Sequence, residues 1–190
     1  KYRNAWTKWL YAATRKYDVP VLNFTATSNH IHLLVRAPAD MEAIPRLVQL
    51  VAGRVGQAYN KIKNRKGAFW EKRYHATAIQ NGEHLARCFL YIDLNMVRAG
   101  QVRHPKQWKQ CGYHEIVQPT NRYRTLNHAE IARLLEMDPD ELPSAYQGWI
   151  TEALRKGNLA RDSIWSSELA IGDGEFTERI YRFLGRYVGA

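Results

Sequence analysis

The sequence predicts an α+β fold: a small antiparallel sheet with helices packed against it, followed by a helical appendage at the C-terminal end. Three observations carry this expectation. Val19 to Ser28 alternates in character and the segment Asn29 to Arg36 follows after almost no turn, which predicts an antiparallel hairpin. Met41 to Asn64 places Ile44, Leu47, Val48, Val51, Val55, Tyr59 and Ile62 at helical spacing, the strongest helix signal in the chain. Beyond Gly100 the strand signals cease and helical stretches alternate with breaks.

Taken in order, Lys1 to Lys16 reads as a helix with Trp6, Trp9, Leu10 and Ala13 on one side, ended by Asp18 and Pro20. The hairpin comes next, and the long helix over Met41 to Asn64 is expected to cover one side of its sheet. Tyr74 to Ile79 is predicted to add a third strand, and Asn81-Gly82 to turn the chain. A helix then buries Leu85, Phe89, Ile92 and Met96 and stops at Gly100. Residues 101–125, with Pro105, Gly112 and Pro119, read as an irregular connection with a short turn around Trp108. Asn127 to Met137, Leu142 to Lys156 and Glu175 to Tyr187 look helical, broken at Asp138-Pro139 and at Gly172 to Gly174. Two units are therefore expected, residues 1–118 and a helical extension over 119–190.

Within the hairpin, Asn29-His30-Ile31-His32-Leu33-Leu34-Val35-Arg36 sets two imidazoles two residues apart. Side chains at i and i+2 of a strand share a face, so His30 and His32 project together while Ile31, Leu33 and Val35 fill the other side. Two neutral imidazoles so placed can bind one metal ion, although this segment taken alone reads first as an ordinary half-exposed strand. On the later helix Tyr91 and Asn95 stand one turn apart, beside the apolar stripe. The Asn95 carboxamide oxygen suits Mg2+ or Mn2+, and a tyrosine next to such an ion points to phosphoryl transfer. Each feature alone is also explained by structure, Tyr91 as an aromatic at the core's edge and Asn95 as a residue near the helix end.

Together with Gly67-Ala68-Phe69-Trp70-Glu71-Lys72-Arg73-Tyr74 and Tyr91-Ile92-Asp93-Leu94-Asn95-Met96-Val97-Arg98-Ala99-Gly100, the histidine strand resembles the single-tyrosine HUH transposases, in particular the REP-associated tyrosine transposases and their insertion-sequence relatives. The three blocks occur in the family's order and the resemblance spans roughly residues 1 to 118. It implies an HUH-endonuclease-like fold, a divalent metal (Mg2+ or Mn2+) held by His30, His32 and Asn95, and Tyr91 as the nucleophile. The implied reaction is cleavage and strand transfer of single-stranded DNA at hairpin-containing sites through a 5′-phosphotyrosine. Thr27-Ser28 stands where relatives have Met-Pro, and Met96 where they have Pro; both affect local geometry more than chemistry. Relatives also begin with a strand before the first helix, whereas this chain opens inside a helical pattern, so one sheet edge is expected to be bare.

The formal net charge of +10 is unevenly placed: residues 1–119 hold 19 Lys and Arg against 7 Asp and Glu, and residues 120–190 hold 9 against 11. A basic unit attracts polyanions. Its densest cluster, Lys61, Lys63, Arg65 and Lys66 followed by Lys72 and Arg73, encloses Phe69 and Trp70, a mixture that suits single-stranded nucleic acid. Arg36, at the end of the histidine segment, and Arg98, within the Tyr91 to Gly100 block, complete the candidate DNA contacts. No apolar run approaches a membrane span, no signal peptide opens the chain, and Cys88 and Cys111 have no metal-ligand spacing, so a cytoplasmic protein is expected. His75 could lie near the site and His84 could contact DNA or nothing; His104, His114 and His128 fall in connections, and a surface or hydrogen-bonded imidazole accounts for each of the five. The competing readings are a domesticated hairpin-binding protein without cleavage, and a helix-turn-helix regulator using residues from Ile131 onward, against which the acidic turn Glu136 to Glu141 argues. Relatives act as monomers or as homodimers that exchange the tyrosine helix, and either state is compatible with the sequence.

Overall fold

The computed structural model describes residues 2–120, 122, 124–157, 160 and 162–188. Strands Val21–Ala26 (β1) and Ile31–Val35 (β2) form the expected antiparallel hairpin, with Phe24 opposite Leu33, Thr25 opposite His32, and a bulge between Val21 and Asn23. This register puts Phe24 and Leu33 on one face and Asn23, Thr25, His32 and Leu34 on the other. The first face is covered by helix Tyr2–Tyr17 (α1), whose Trp6 ring lies 5.4 Å from Phe24, and α1 in turn packs against helix Ala43–Lys63 (α2).

The second face is covered as well, so the side of the hairpin that carries His32 is not open to solvent along its length. Helix Glu83–Asp93 (α3) packs there, and the Asn23 amide donates to Phe89 O at 3.4 Å and Asp93 Oδ2 at 3.2 Å. All six β1 residues are buried, and so is Leu34, which shares the face of His32.

The outer edge of β1 is not bare either. Ala26 N donates to Gln110 O at 2.9 Å, Gly112 N to Phe24 O at 2.8 Å, and Asn127 N to Val21 O at 2.8 Å. Residues well past the motifs thus supply the ladder bonds that an additional strand would make. Gly112 is required for this approach, because a Cβ there would stand 2.1 Å from Asn23 Oδ1.

The third strand is shorter and elsewhere than predicted. Only Ala78–Ile79 (β3) is extended, and it pairs in parallel with Ala170–Ile171 (β4) in a sheet separate from the hairpin. Tyr74 to Ala76 are exposed, so no buried face holds them in a ladder, while His75 Nε2 and Thr77 Oγ1 bond to Glu168 O at 3.0 and 2.7 Å.

Past α3, the chain forms short helices at Asn95–Arg98 (α4) and Tyr113–Val117 (α5), then His128–Leu134 (α6), Leu142–Lys156 (α7), Ile164–Ser167 (α8) and Gly174–Val188 (α9). The predicted helix from Lys1 begins at Tyr2, with Lys1 outside the described residues. One apolar cluster contains Leu10, Leu22 and Phe89 as well as Ile131, Leu142, Tyr146 and Ile150, so residues on both sides of position 118 share a core. The buried sides of α6 and α7 face that core, and Arg155 and Lys156 of α7 are both paired with Glu152. Among the described residues no helix is long and apolar enough to cross a membrane.

Candidate active site

The predicted stripe Leu85, Phe89, Ile92 and Met96 is buried, and it fixes the rotation of α3 and α4 about the hairpin. The helix is interrupted at Leu94, yet Leu94 N still bonds Leu90 O at 2.9 Å and Arg98 N bonds Leu94 O at 2.9 Å. Tyr91 and Asn95 therefore remain about one turn apart and meet the β2 residue that faces them. His32 Nε2 lies 3.1 Å from the Asn95 amide nitrogen, and the His32 and Tyr91 rings meet edge to face with centroids 5.6 Å apart.

The donor set here fits a divalent ion on chemical grounds. A half-turn of the Asn95 carboxamide exchanges its nitrogen for its oxygen, so an imidazole nitrogen and a hard oxygen can be presented to one point. Among the described residues no three His, Cys, Asp or Glu side chains are arranged to hold a metal, so a metal set here has to draw on Asn95. His30 stands one residue before β2 and is exposed; its backbone is held by Thr27, whose Oγ1 accepts from His30 N at 2.8 Å. The structure thus joins His32, Asn95 and Tyr91, and leaves the His30 imidazole at the rim.

Arg98, expected among the DNA contacts, lies within this group: its guanidinium lies 4.3 Å from the Tyr91 ring centroid and donates to Tyr91 O. Arg36 is paired with Glu130 of α6 at 2.8 Å. Lys61, Lys63, Arg65 and Lys66 are exposed at the end of α2 and just beyond, and Lys72 and Arg73 are exposed in the segment that follows. Arg65 also donates to Ala68 O at 2.8 Å and lies 5.6 Å from the Tyr59 ring. Trp70 is anchored by its indole N–H to Ala52 O at 3.0 Å and meets Phe69 edge to face, while 36% of its surface remains exposed.

Sequence reasoning passed over two neighbours of the site. Asp93, between Tyr91 and Asn95, is fully enclosed; its Oδ2 accepts from Asn23 at 3.2 Å and from Tyr146 Oη of α7 at 2.5 Å. Burial pushes its carboxyl up from 3.8 to about 7, against the pull of the Tyr146, Asn23 and Tyr113 donors toward the charged form. Oδ1 itself has no well-formed partner. The second neighbour is Trp165 of α8, stacked on Tyr91. An aspartate inside an apolar stripe was a legible signal for the first, whereas nothing in the spacing of Trp165 ties it to residue 91.

A tyrosine set against an imidazole and a carboxamide, on helices that cover a small antiparallel hairpin, belongs to the class of proteins that the motif order implied. A family model for IS200-like transposases matches residues 1–95, and the chain belongs to that family, whose members are generally HUH endonucleases that use a divalent metal. No curated protein and no solved structure matches the chain.

Proposed function

We propose that the protein cleaves single-stranded DNA at hairpin-containing sites and transfers the cut strand through a 5′-phosphotyrosine on Tyr91. His32 and Asn95, with His30 joining from the rim, are the residues that would hold Mg2+ or Mn2+. The observation that carries the reading is the meeting of the Tyr91 ring with His32, and of His32 with Asn95, within one chain. The chemistry is assigned to residues 1–118, with 119–190 as the helical extension, and a second copy is not needed to bring these three side chains together.

A phenol with an ordinary pKa of about 10 is a weak nucleophile at neutral pH. When bound, the metal supplies positive charge at the scissile phosphate, easing attack and stabilising the transition state. Tyr91 Oη forms the new bond to phosphorus and loses its proton, the bond to the 3′ oxygen breaks, and that oxygen leaves as a hydroxyl. A different 3′-hydroxyl then attacks the phosphotyrosine and releases Tyr91, so the bond energy is conserved in the covalent state. Arg98 stands beside the ring where negative charge develops. The exposed Lys61, Lys63, Lys66, Lys72 and Arg73 neutralise phosphates, and Trp70 offers its exposed surface to a base.

The test is a 3′-labelled single-stranded hairpin oligonucleotide incubated with the protein and Mn2+. A denaturation-resistant protein–DNA adduct is expected from the wild type and not from Tyr91→Phe. An adduct of normal yield in that variant moves the nucleophile elsewhere, and no adduct from the wild type favours the binding-only reading.

A further inference from the structure

Tyr91 touches one side chain that the chemistry above does not use. Trp165 lays its indole against the phenol ring, with centroids 5.3 Å apart and planes 27° from parallel. With His32 edge-on and Arg98 over the ring, the phenol is held from three directions, and each of these contacts is made to ring atoms. Tyr91 is only 8% exposed, yet its hydroxyl is not among the fully buried, unpaired oxygens of the described residues.

We propose that Trp165 is a positioning residue for strand cleavage: a wall, supplied from beyond the motif-bearing half, that fixes the plane of the Tyr91 ring and aims its oxygen at the scissile phosphate. This rests on the phosphotyrosine reading. The segment that carries Trp165 is anchored on both flanks, as a wall requires. On one side Asp162 pairs with Arg87 at 3.8 Å, and Arg87 lies on α3 one turn before Tyr91. On the other, Ala78 N bonds Leu169 O at 2.9 Å, β3 pairs with β4, and Gln80 exchanges two hydrogen bonds with Asp173 at 2.6 and 2.7 Å. His75 and Thr77 add their bonds to Glu168 O. A four-residue helix held at both ends has little room to swing. Holding a nucleophile in its reacting orientation lowers the barrier of the chemical step and contributes little to the encounter with DNA, which rests on the exposed basic residues.

The experiment compares Trp165→Ala and Trp165→Phe in the full chain. Stacking is read by NMR, independently of activity: the Tyr91 ring signals, identified by their loss in Tyr91→Phe, are expected to be shifted upfield by the indole. Trp165→Ala removes that shift. Single-turnover adduct formation with the 3′-labelled hairpin and Mn2+ is expected to slow at least tenfold in Trp165→Ala, with the DNA Kd changed less than twofold. Trp165→Phe, which keeps an aromatic wall, is expected to recover most of the rate. Thermal denaturation verifies that both variants are folded. An unchanged rate reduces Trp165 to packing, a faster one makes it an obstruction, and a drop in affinity that accounts for the slower rate makes it a DNA-binding residue; each overturns the proposal. A wild type with the ring shift but no adduct refutes the phosphotyrosine reading, and this role for Trp165 with it, while leaving the stacking established.

Discussion

Replacing Asp93 with Asn is expected to change stability by an amount that grows with pH. The Asp93 carboxyl is enclosed by β1, α3 and α7, and burial raises it from 3.8 to about 7. Across that interval the folded protein keeps a proton that the unfolded chain has released, so the unfolded state binds fewer protons and stability falls as pH rises. The loss begins near the unfolded value of 3.8 and is complete a little above 7. At 1.36 kcal/mol per pH unit the whole interval is worth about 4 kcal/mol, and more than half of it falls between pH 5 and pH 8. Asn carries no charge, and its carbonyl oxygen can still accept from Tyr146 and Asn23. The variant's stability relative to the wild type should therefore rise by about 2 to 3 kcal/mol over that range. Urea denaturation of both proteins at pH 5, 6, 7 and 8 gives the difference directly, and subtracting the curves removes every other titrating group. A difference independent of pH refutes the argument. A difference that falls with pH means that the Tyr146 and Asn23 donors outweigh the cost of burying the charge.

Three further expectations follow from the site. Tyr91→Phe should abolish the covalent adduct but change the unfolding free energy by no more than about 0.5 kcal/mol, since His32, Trp165 and Arg98 all meet the side chain at its ring; a large drop in stability in urea denaturation would show that the hydroxyl is structural. His32→Ala should lose metal-dependent cleavage and also about 1 kcal/mol of stability, because it removes the partner of Asn95 and the edge contact to Tyr91, whereas His30→Ala should lose cleavage with the denaturation curve unchanged; equal stability losses contradict the rim position of His30. Changing Lys61, Lys63 and Lys66 together to Gln should weaken single-stranded DNA binding and lower the slope of log affinity against log salt by about 0.7 for each phosphate that is no longer neutralised, and unchanged slopes in titrations at several salt concentrations would move the DNA path to another face.

Much of the site was legible because it lies in short local patterns. The alternation of His30 to Val35 and the three-and-four spacing of Leu85 to Met96 specify which way His32, Tyr91 and Asn95 face, and one packing contact then brings them together. What the pattern could not convey was depth. An alternating strand reads as open on its polar side, but α3 covers that side, and Leu34 on the same face as His32 is buried. The third strand failed for a related reason: Tyr74 to Ile79 contains residues that favour strands, but its partner is β4, almost a hundred residues later, and only two residues find it. The contacts of Tyr146 with Asp93 and of Trp165 with Tyr91 also join residues far apart in sequence, and no local periodicity encodes such pairs. Nor does local spacing convey that Arg98 folds back over the Tyr91 ring.

These long-range contacts also explain why a two-stranded hairpin can hold a site in place. An isolated hairpin is marginally stable in water, and it gains rigidity only from what covers its faces and edges. Here α1 closes one face of β1, α3 closes the other, and the backbone at Gln110 to Gly112 and at Asn127 takes up its outer edge. β1 therefore serves as the buried centre of the unit even though it is formally one strand of two. His32, opposite Thr25 in the register, inherits its position from that centre, and Asn95 inherits its own from α3, which Asn23 and Tyr146 tie to β1 and α7 through Asp93. The polar face of the hairpin is thus a junction where a strand, the tyrosine helix and a helix from the C-terminal extension meet. A side chain placed at such a junction is restrained by all three, and the cleavage proposed for Tyr91, which depends on aiming one phenol at one phosphorus atom, requires that restraint.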